Sequence, residues 1–354
     1  MTPIRVAVIG AGAFGRNHLR VYRELELAHP NLVQLAALVE PDEARRNEYA
    51  ALYNIPTFPT VEEFLASTVY SLLSTVCPIA ASICVPTIHH AAVATQLLNA
   101  NLDILIEKPI AASLAEADAI LTLAQQNNRI VAVGHLERFN PAVTAVASRL
   151  NNPMFFEAHR LSIFTPRSLD VDVVLDLMIH DLDIVLSLTN SPVREVRAVG
   201  LAILSKKVDI ANVRVEFESG CVANFTASRV STEQVRKLRL FQPHQYLSLD
   251  FARQELLSIN VDPRAAALLS SLPPSSLAPL QTPGEATHPS AGLNLQKLDL
   301  PRAEPLRLEL EDFLHAVATR TEPRVPAEAG RAALSLALEI NSEIARHAHR
   351  AGLA

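Results

Sequence analysis

Cysteine is scarce in this chain of 354 residues: there are three, Cys77, Cys84 and Cys221. An odd number without metal-ligand spacing builds neither a disulfide framework nor a zinc site. Buried free thiols in a reducing compartment are the expectation. A basic excess is also missing. The net charge is −6, which argues against a nucleic-acid partner. No apolar run reaches the roughly 18 residues that a membrane span needs. Arg5 and the early glycines break up anything like a secretory apolar segment. A soluble cytoplasmic protein with no membrane partner is therefore expected. Lysine is nearly absent from the first 200 residues, where Lys108 stands alone. Apolar residues are plentiful at 49%, and the chain is long enough for two cores.

The first fifteen residues organise the rest. Ile4 to Ile9 is rich in β-branched residues. Gly10-Ala11-Gly12-Ala13-Phe14-Gly15 follows, and then a helical stretch from Asn17 to Ala28. Strand, G-x-G-x-x-G and helix in this order form a dinucleotide-binding turn. Gly10 permits the tight turn, Gly12 lets a pyrophosphate approach the backbone, and Gly15 lets helix and strand pack closely. The helix N-terminus offers N–H groups to the phosphates. A second strand, Val33 to Val39, ends at Glu40, whose carboxylate suits the adenosine ribose hydroxyls and repels a 2′-phosphate. NAD rather than NADP is the expected cofactor. Arg45 and Arg46, one turn further on, are placed to reach the adenine or such a phosphate.

Alternating strands and helices continue to Gly134, which implies a parallel, doubly wound sheet with its ligand at the strands' carboxyl ends. Pro86, His90, Glu107, Lys108 and His135 fall at or beside those ends. With Gly10, Gly12, Ala13, Phe14, Gly15, Glu40 and Arg45 they make the expected cofactor-binding set. Ser113 and Glu116 have the spacing of a capping box. Lys108 follows an apolar strand, where its amine can meet the nicotinamide ribose and a reacting hydroxyl. Held near a cationic ring its pKa should fall, which suits proton transfer.

Three stretches resemble a known family, that of glucose–fructose oxidoreductase and inositol 2-dehydrogenase (Gfo/Idh/MocA). They are Val8-Ile9-Gly10-Ala11-Gly12-Ala13-Phe14-Gly15, Glu107-Lys108-Pro109 and Asp176-Leu177-Met178-Ile179-His180-Asp181. The resemblance implies an α/β Rossmann domain plus an α+β domain with an open, mostly antiparallel sheet. It also implies NAD(P)-dependent chemistry at a sugar or cyclitol hydroxyl, with the family's catalytic lysine, aspartate and histidine falling on Lys108, Asp176 and His180. The outer face of the second sheet is expected to form a homodimer or homotetramer. A narrower string, Gly134-His135-Leu136-Glu137-Arg138-Phe139-Asn140-Pro141, is similar to members that oxidise UDP-N-acetylglucosamine at C3. One departure is Asp170-Val171-Asp172, where many members carry glycines. Acidic residues there would change the charge near the substrate.

The expected boundaries are 1–137 for the NAD-binding domain and 138–354 for the substrate-binding and oligomerisation domain. Arg138, Asn140, Arg167, Asp176 and His180 are the substrate-binding candidates, because a guanidinium can hold phosphate or sugar oxygens bidentately. A helix is expected from Asp170 to Leu188. Asp176 and His180, four apart, then share a face, and His180 can take a hydroxyl proton while Asp176 orients the substrate. Strands are expected from 195 to 259, with a hairpin turn at Ser219-Gly220. A Pro/Ser-rich loop is expected over about 262–300, and two helices close the chain. The ligand is then a sugar or nucleotide sugar. A free-sugar or inositol dehydrogenase, and a cofactor-bound regulatory protein without turnover, are the alternatives.

Overall fold

The computed structural model describes residues 2–70, 79–164, 171–261 and 293–353. Cys77, Arg167 and Asp170 lie outside these ranges. The chain divides into two units, residues 1–139 with 303–338, and residues 140–302 with 339–354.

In the first unit, β1 (Ile4–Ile9), β2 (Val33–Val39), β4 (Ile79–Ile83), β5 (Asp103–Glu107) and β6 (Val131–Gly134) are buried along nearly their whole length. Strands apolar on both sides need helices on both faces, and that is what a parallel sheet supplies. With the short β3 (Thr57–Phe58) they form a parallel sheet in the order β3-β2-β1-β4-β5-β6. The order reverses between β1 and β4, where such sheets bind ligands. Helix α1 (Gly15–Ala28) buries His18, Leu19, Val21, Tyr22 and Leu25. Then come α2 (Glu43–Tyr53), capped by Asp42, α3 (Val61–Ala66) and α4 (His90–Asn99). Helix α5 (Leu114–Gln126) begins with the expected Ser113–Glu116 capping box.

The boundary differs from the one the sequence suggests. Helix α8 (Pro305–Thr319) belongs to the first unit. Its Leu306, Leu310, Phe313, Leu314 and Val317 lie in the same core as Val6, Leu19, Tyr22 and Leu38. Burying that apolar stripe on α1 and β1 stabilises the fold by about 1.5–3 kcal/mol per large side chain. Linear position alone does not indicate which core a late helix joins.

The second unit is built on an eight-stranded sheet. Its strands are β7 (Phe155–Leu161), β8 (Val193–Leu201), β9 (Ile210–Phe217), β10 (Val222–Ser228), β11 (Val235–Gln242), β12 (Gln245–Asp250), β13 (Glu255–Val261) and β14 (Leu293–Leu298). The order is β14-β13-β12-β11-β7-β10-β9-β8, and only the β7–β10 pair is parallel. Strand β9 alternates: Ala211, Val213, Val215 and Phe217 are buried, while Asn212 and Arg214 are exposed. The turn carrying Gly220, at φ +82°, joins β9 to β10 as expected.

Two expectations change here. The loop expected to run to residue 300 ends earlier, because residues 293–298 pair with β13 as the edge strand β14. Its alternating Leu-Asn-Leu-Gln pattern was hidden by the Pro/Ser-rich composition before it. The helix expected from Asp170 begins at Val173. Residues Val174–Met178 form a π turn, and α7 (Ile179–Thr189) follows. Helix α6 (Pro141–Ala147) also lies in this unit, and α9 (Ala327–Arg350) contributes residues to both. No helix among the described residues is long and apolar enough to cross a membrane.

Candidate functional site

The glycine loop is shaped by where side chains are missing. Gly10 sits at φ +92°, a region L side chains rarely adopt, and donates to Val39 O at 2.7 Å. A Cβ on Gly15 would be driven into the Gly10 carbonyl oxygen. A Cβ on Gly12 would meet nothing within 4 Å. Open space thus lies above Gly12, beside the exposed Ala13 and Phe14 and the first amides of α1. Glu40, only 3% exposed, is fastened to this loop. Its Oε2 accepts from Ala11 N at 2.7 Å and its Oε1 from Asp42 N at 3.0 Å. A carboxylate has about four acceptor positions, so both oxygens keep capacity for a ribose. Arg45, largely exposed, brings its guanidinium within 3.6 Å of Glu40 and Asp42. Arg46 is spent on the carbonyl oxygens of Glu40 and Pro41.

The neighbouring strand ends supply the rest. Pro86 is exposed just after β4. His90 places Nδ1 2.8 Å from Pro109 O and Nε2 2.9 Å from Val85 O. Its ring therefore sits between the segments that follow β4 and β5, with both nitrogens facing backbone carbonyls. Burial pushes its pKa below the ordinary histidine value, against the two carbonyls. Glu107 is committed inward too: its Oε1 is 2.8 Å from His18 Nε2, and its Oε2 accepts from Lys108 N at 3.3 Å. Lys108 is half-buried and joined to Pro109 by a cis peptide bond. His135 is buried immediately after β6.

In the second unit Asp176 and His180 are half-buried on successive turns. Asp176 lies in the π turn, where Ile179 N donates to Val174 O five residues back. Such widened turns are frequent at functional sites. Asp172 is not free charge: Oδ1 accepts from Val174 N and Leu175 N at 2.9 and 3.0 Å, and Oδ2 from Asn341 at 3.1 Å. Its carboxylate thus caps the start of the helix. Next to His180, Asp181 receives a bidentate Arg160 at 2.9 and 2.8 Å, and both are 3–4% exposed. Asn140, expected to bind substrate, caps α6: Oδ1 accepts from Ala142 N and Nδ2 donates to Phe251 O. Pro141 at the first helical position makes Asn140 a natural N-cap. Arg138 is half-buried in the first unit, within electrostatic reach of Arg324. Burial first, and then this like charge, lowers the Arg324 pKa.

The donors and the space fit a dinucleotide. The loop leaves room above Gly12, and an anchored carboxylate ends β2. The residues that sequence reasoning passed over are His18 and Glu309, buried near Glu107. His18 lies three residues past Gly15, on the inward face of α1; an amphipathic plot would have found it, but not its partner.

Known proteins show the same division. Residues 4–135 match the model of the oxidoreductase family with an NAD-binding Rossmann fold, and residues 142–242 match the GFO/IDH/MocA C-terminal domain. The chain is 35% identical over 341 residues to UDP-N-acetylglucosamine 3-dehydrogenase of Acidithiobacillus ferrooxidans, covering 96% of this chain and 97% of the relative. A solved structure of that enzyme superposes with a TM-score of 0.81 at 34% identity, covering 97% of this chain and 98% of the other. Inositol 2-dehydrogenase of Corynebacterium glutamicum is 28% identical over 201 residues, 54% of this chain and 55% of the relative. The chain belongs to the GFO/IDH/MocA family of NAD-binding oxidoreductases.

Proposed function

We propose that this protein is an NAD-dependent dehydrogenase that oxidises the C3 hydroxyl of UDP-N-acetylglucosamine. The observation that carries the substrate is similarity to one enzyme across 96% of the chain, spanning both units. Resemblance to inositol 2-dehydrogenase of Corynebacterium glutamicum reaches 54% of it.

His180 takes the proton of the reacting hydroxyl, and Lys108 is the second acid–base group. Asp176 orients the sugar or the imidazole. Bound NAD supplies the hydride acceptor. Gly12, Ala13 and the first amides of α1 hold the pyrophosphate, and Glu40 holds the adenosine ribose. The Glu40 carboxylate, fastened by Ala11 N, disfavours a 2′-phosphate, and Arg46 is already engaged. These two facts support NAD over NADP. Arg138, with Arg324 in reach, supplies positive charge for the diphosphate, and Arg167 is a further candidate. The exposed face of the second sheet is the oligomer surface, and the cytoplasm is the location that the free thiols favour.

The test is NADH absorbance in a single turnover with UDP-sugars, free sugars and inositols. UDP-N-acetylglucosamine should give the signal, and Lys108→Met and His180→Ala should each abolish it. A burst with a free cyclitol alone would replace this reading. Unchanged rates in both variants would end it.

A further inference from the structure

Beneath Lys108 lies a buried polar cluster that the proposed chemistry does not use. His18 comes from α1, Glu107 from the end of β5 and Glu309 from α8. Ligating atoms of all three lie within 4.8 Å of one another, and all three residues are buried. The chain separation of His18 and Glu107 is 89 residues, yet Nε2 and Oε1 meet at 2.8 Å. His18 Nδ1 has no partner among the described residues. A bare acceptor is cheaper to bury than an orphan N–H, so the ring hydrogen belongs on Nε2, donated to Glu107. The other carboxylate oxygen accepts from Lys108 N at 3.3 Å. The carboxyl group also occupies the place of a side chain at Gly134: a Cβ there would meet its atoms at 3.0 Å.

The bond joins two parts of the dinucleotide site. His18 is one turn into the helix that opens at the glycine loop, and the Phe14 ring stands 6.1 Å from its own. Glu107 carries the amide of the residue read as the reactive lysine. We infer that His18 and Glu107, with Glu309 closing the cluster, are positioning residues that fix the Lys108 backbone relative to the phosphate-binding turn. Glu107 acts through this link and does not touch the cofactor. The inference rests on reading Lys108 as the reactive amine.

A readout independent of any sugar tests it. The chain has five lysines, so ¹³C-lysine labelling gives a sparse NMR spectrum in which Lys108→Arg identifies the Lys108 signal. His18→Leu should move that signal in the presence of NAD. His18→Gln, whose amide nitrogen can occupy the Nε2 position, should restore it. NAD affinity should stay within about threefold, while kcat on the true substrate falls about 100-fold in the leucine variant, the scale of a misplacement near 1 Å. Should His18→Leu not fold, Glu107→Gln retains the bulk and reads the same signal, with a displacement expected. An unmoved Lys108 signal in these variants overturns the inference. So does a loss of NAD affinity beyond about tenfold in Glu107→Gln, a full decade of direct contact energy, because Glu107 would then touch the cofactor. The same donor set suits a divalent metal, so one bound metal per chain in elemental analysis also overturns it. Failure of the sugar assay alone leaves the NMR and affinity readouts intact, which separates the two proposals.

Discussion

The two units solve the same problem, holding local structure in place, by different means. In the first unit the key turn depends on atoms that are not there. Gly10 adopts a left-handed backbone, Gly15 makes room for the Gly10 carbonyl, and backbone amides anchor Glu40. In the second unit order comes from buried charge. Arg160 grips Asp181 beside His180 and lies 5.3 Å over the Phe251 ring. Asp209, buried, gathers the amides of Ile203, Leu204 and Ser205 and pairs with Arg229 at 3.3 Å. The lesson is that a turn built on missing side chains tolerates no addition, whereas one built on ion pairs tolerates no subtraction.

The comparison can be broken most forcefully in the second unit. Arg160→Ala leaves Asp181 buried without its cation, and breaking such a pair costs about 3–5 kcal/mol. Urea unfolding should show that loss. An unchanged midpoint would mean that the pair contributes no order. In the first unit Gly15→Ala forces the Gly10 carbonyl aside and should cost about 1–3 kcal/mol. Its counterpart Gly12→Ala enters open space, and stability should stay within about 0.5 kcal/mol. NAD affinity should nevertheless fall for Gly12→Ala, as titration by fluorescence or calorimetry would reveal. Equal melting temperatures for the two alanine variants would contradict the geometry.

A smaller effect follows from pH. Burial alone would push the Asp209 carboxyl up, but the Ser205 amide and hydroxyl and the amides of Leu204 and Ile203 outweigh it and hold the pKa at about 2. An unfolded aspartate titrates near pH ~4. Asp209 therefore adds stability that is complete above that value and is lost as pH falls through about 2. The stability gap between the protein and Asp209→Asn should be full at pH 6 and shrink toward pH 2. A gap constant with pH would assign the effect to shape rather than charge. The smallest expected change concerns the thiols. Burial pushes Cys221 up to about 11 and Cys84 well above its ordinary value. Both should resist Ellman's reagent at pH 8 until the protein is unfolded, and fast labelling of either in the folded state would refute this.

Much of the first unit was legible because its signals are local. The glycine spacing, the strand ending at Glu40, the Ser113–Glu116 box and the lone Lys108 all lie within a few residues of the structure they specify. The roles of Glu107, His90 and Asn140 were not legible. Each side chain is directed inward by a partner that is distant in sequence or that belongs to backbone: His18, the carbonyls of Val85 and Pro109, and Phe251. The π turn was hidden because one extra residue per turn leaves the apolar pattern of a helix nearly unchanged over five positions. The membership of α8 was hidden because an amphipathic stripe states that a helix is covered, and not by what.

By itself the amino-acid sequence determined the dinucleotide turn, the alternation of strands and helices, and the residue types able to move a proton, since each depends on short-range sterics and periodicity. Tertiary structure decided which charges are spent on the fold, which core the late helix joins and how Glu107 is held against His18. Those outcomes depend on packing between segments far apart in the chain, where burial makes most polar atoms find a partner and leaves local pattern silent about which one.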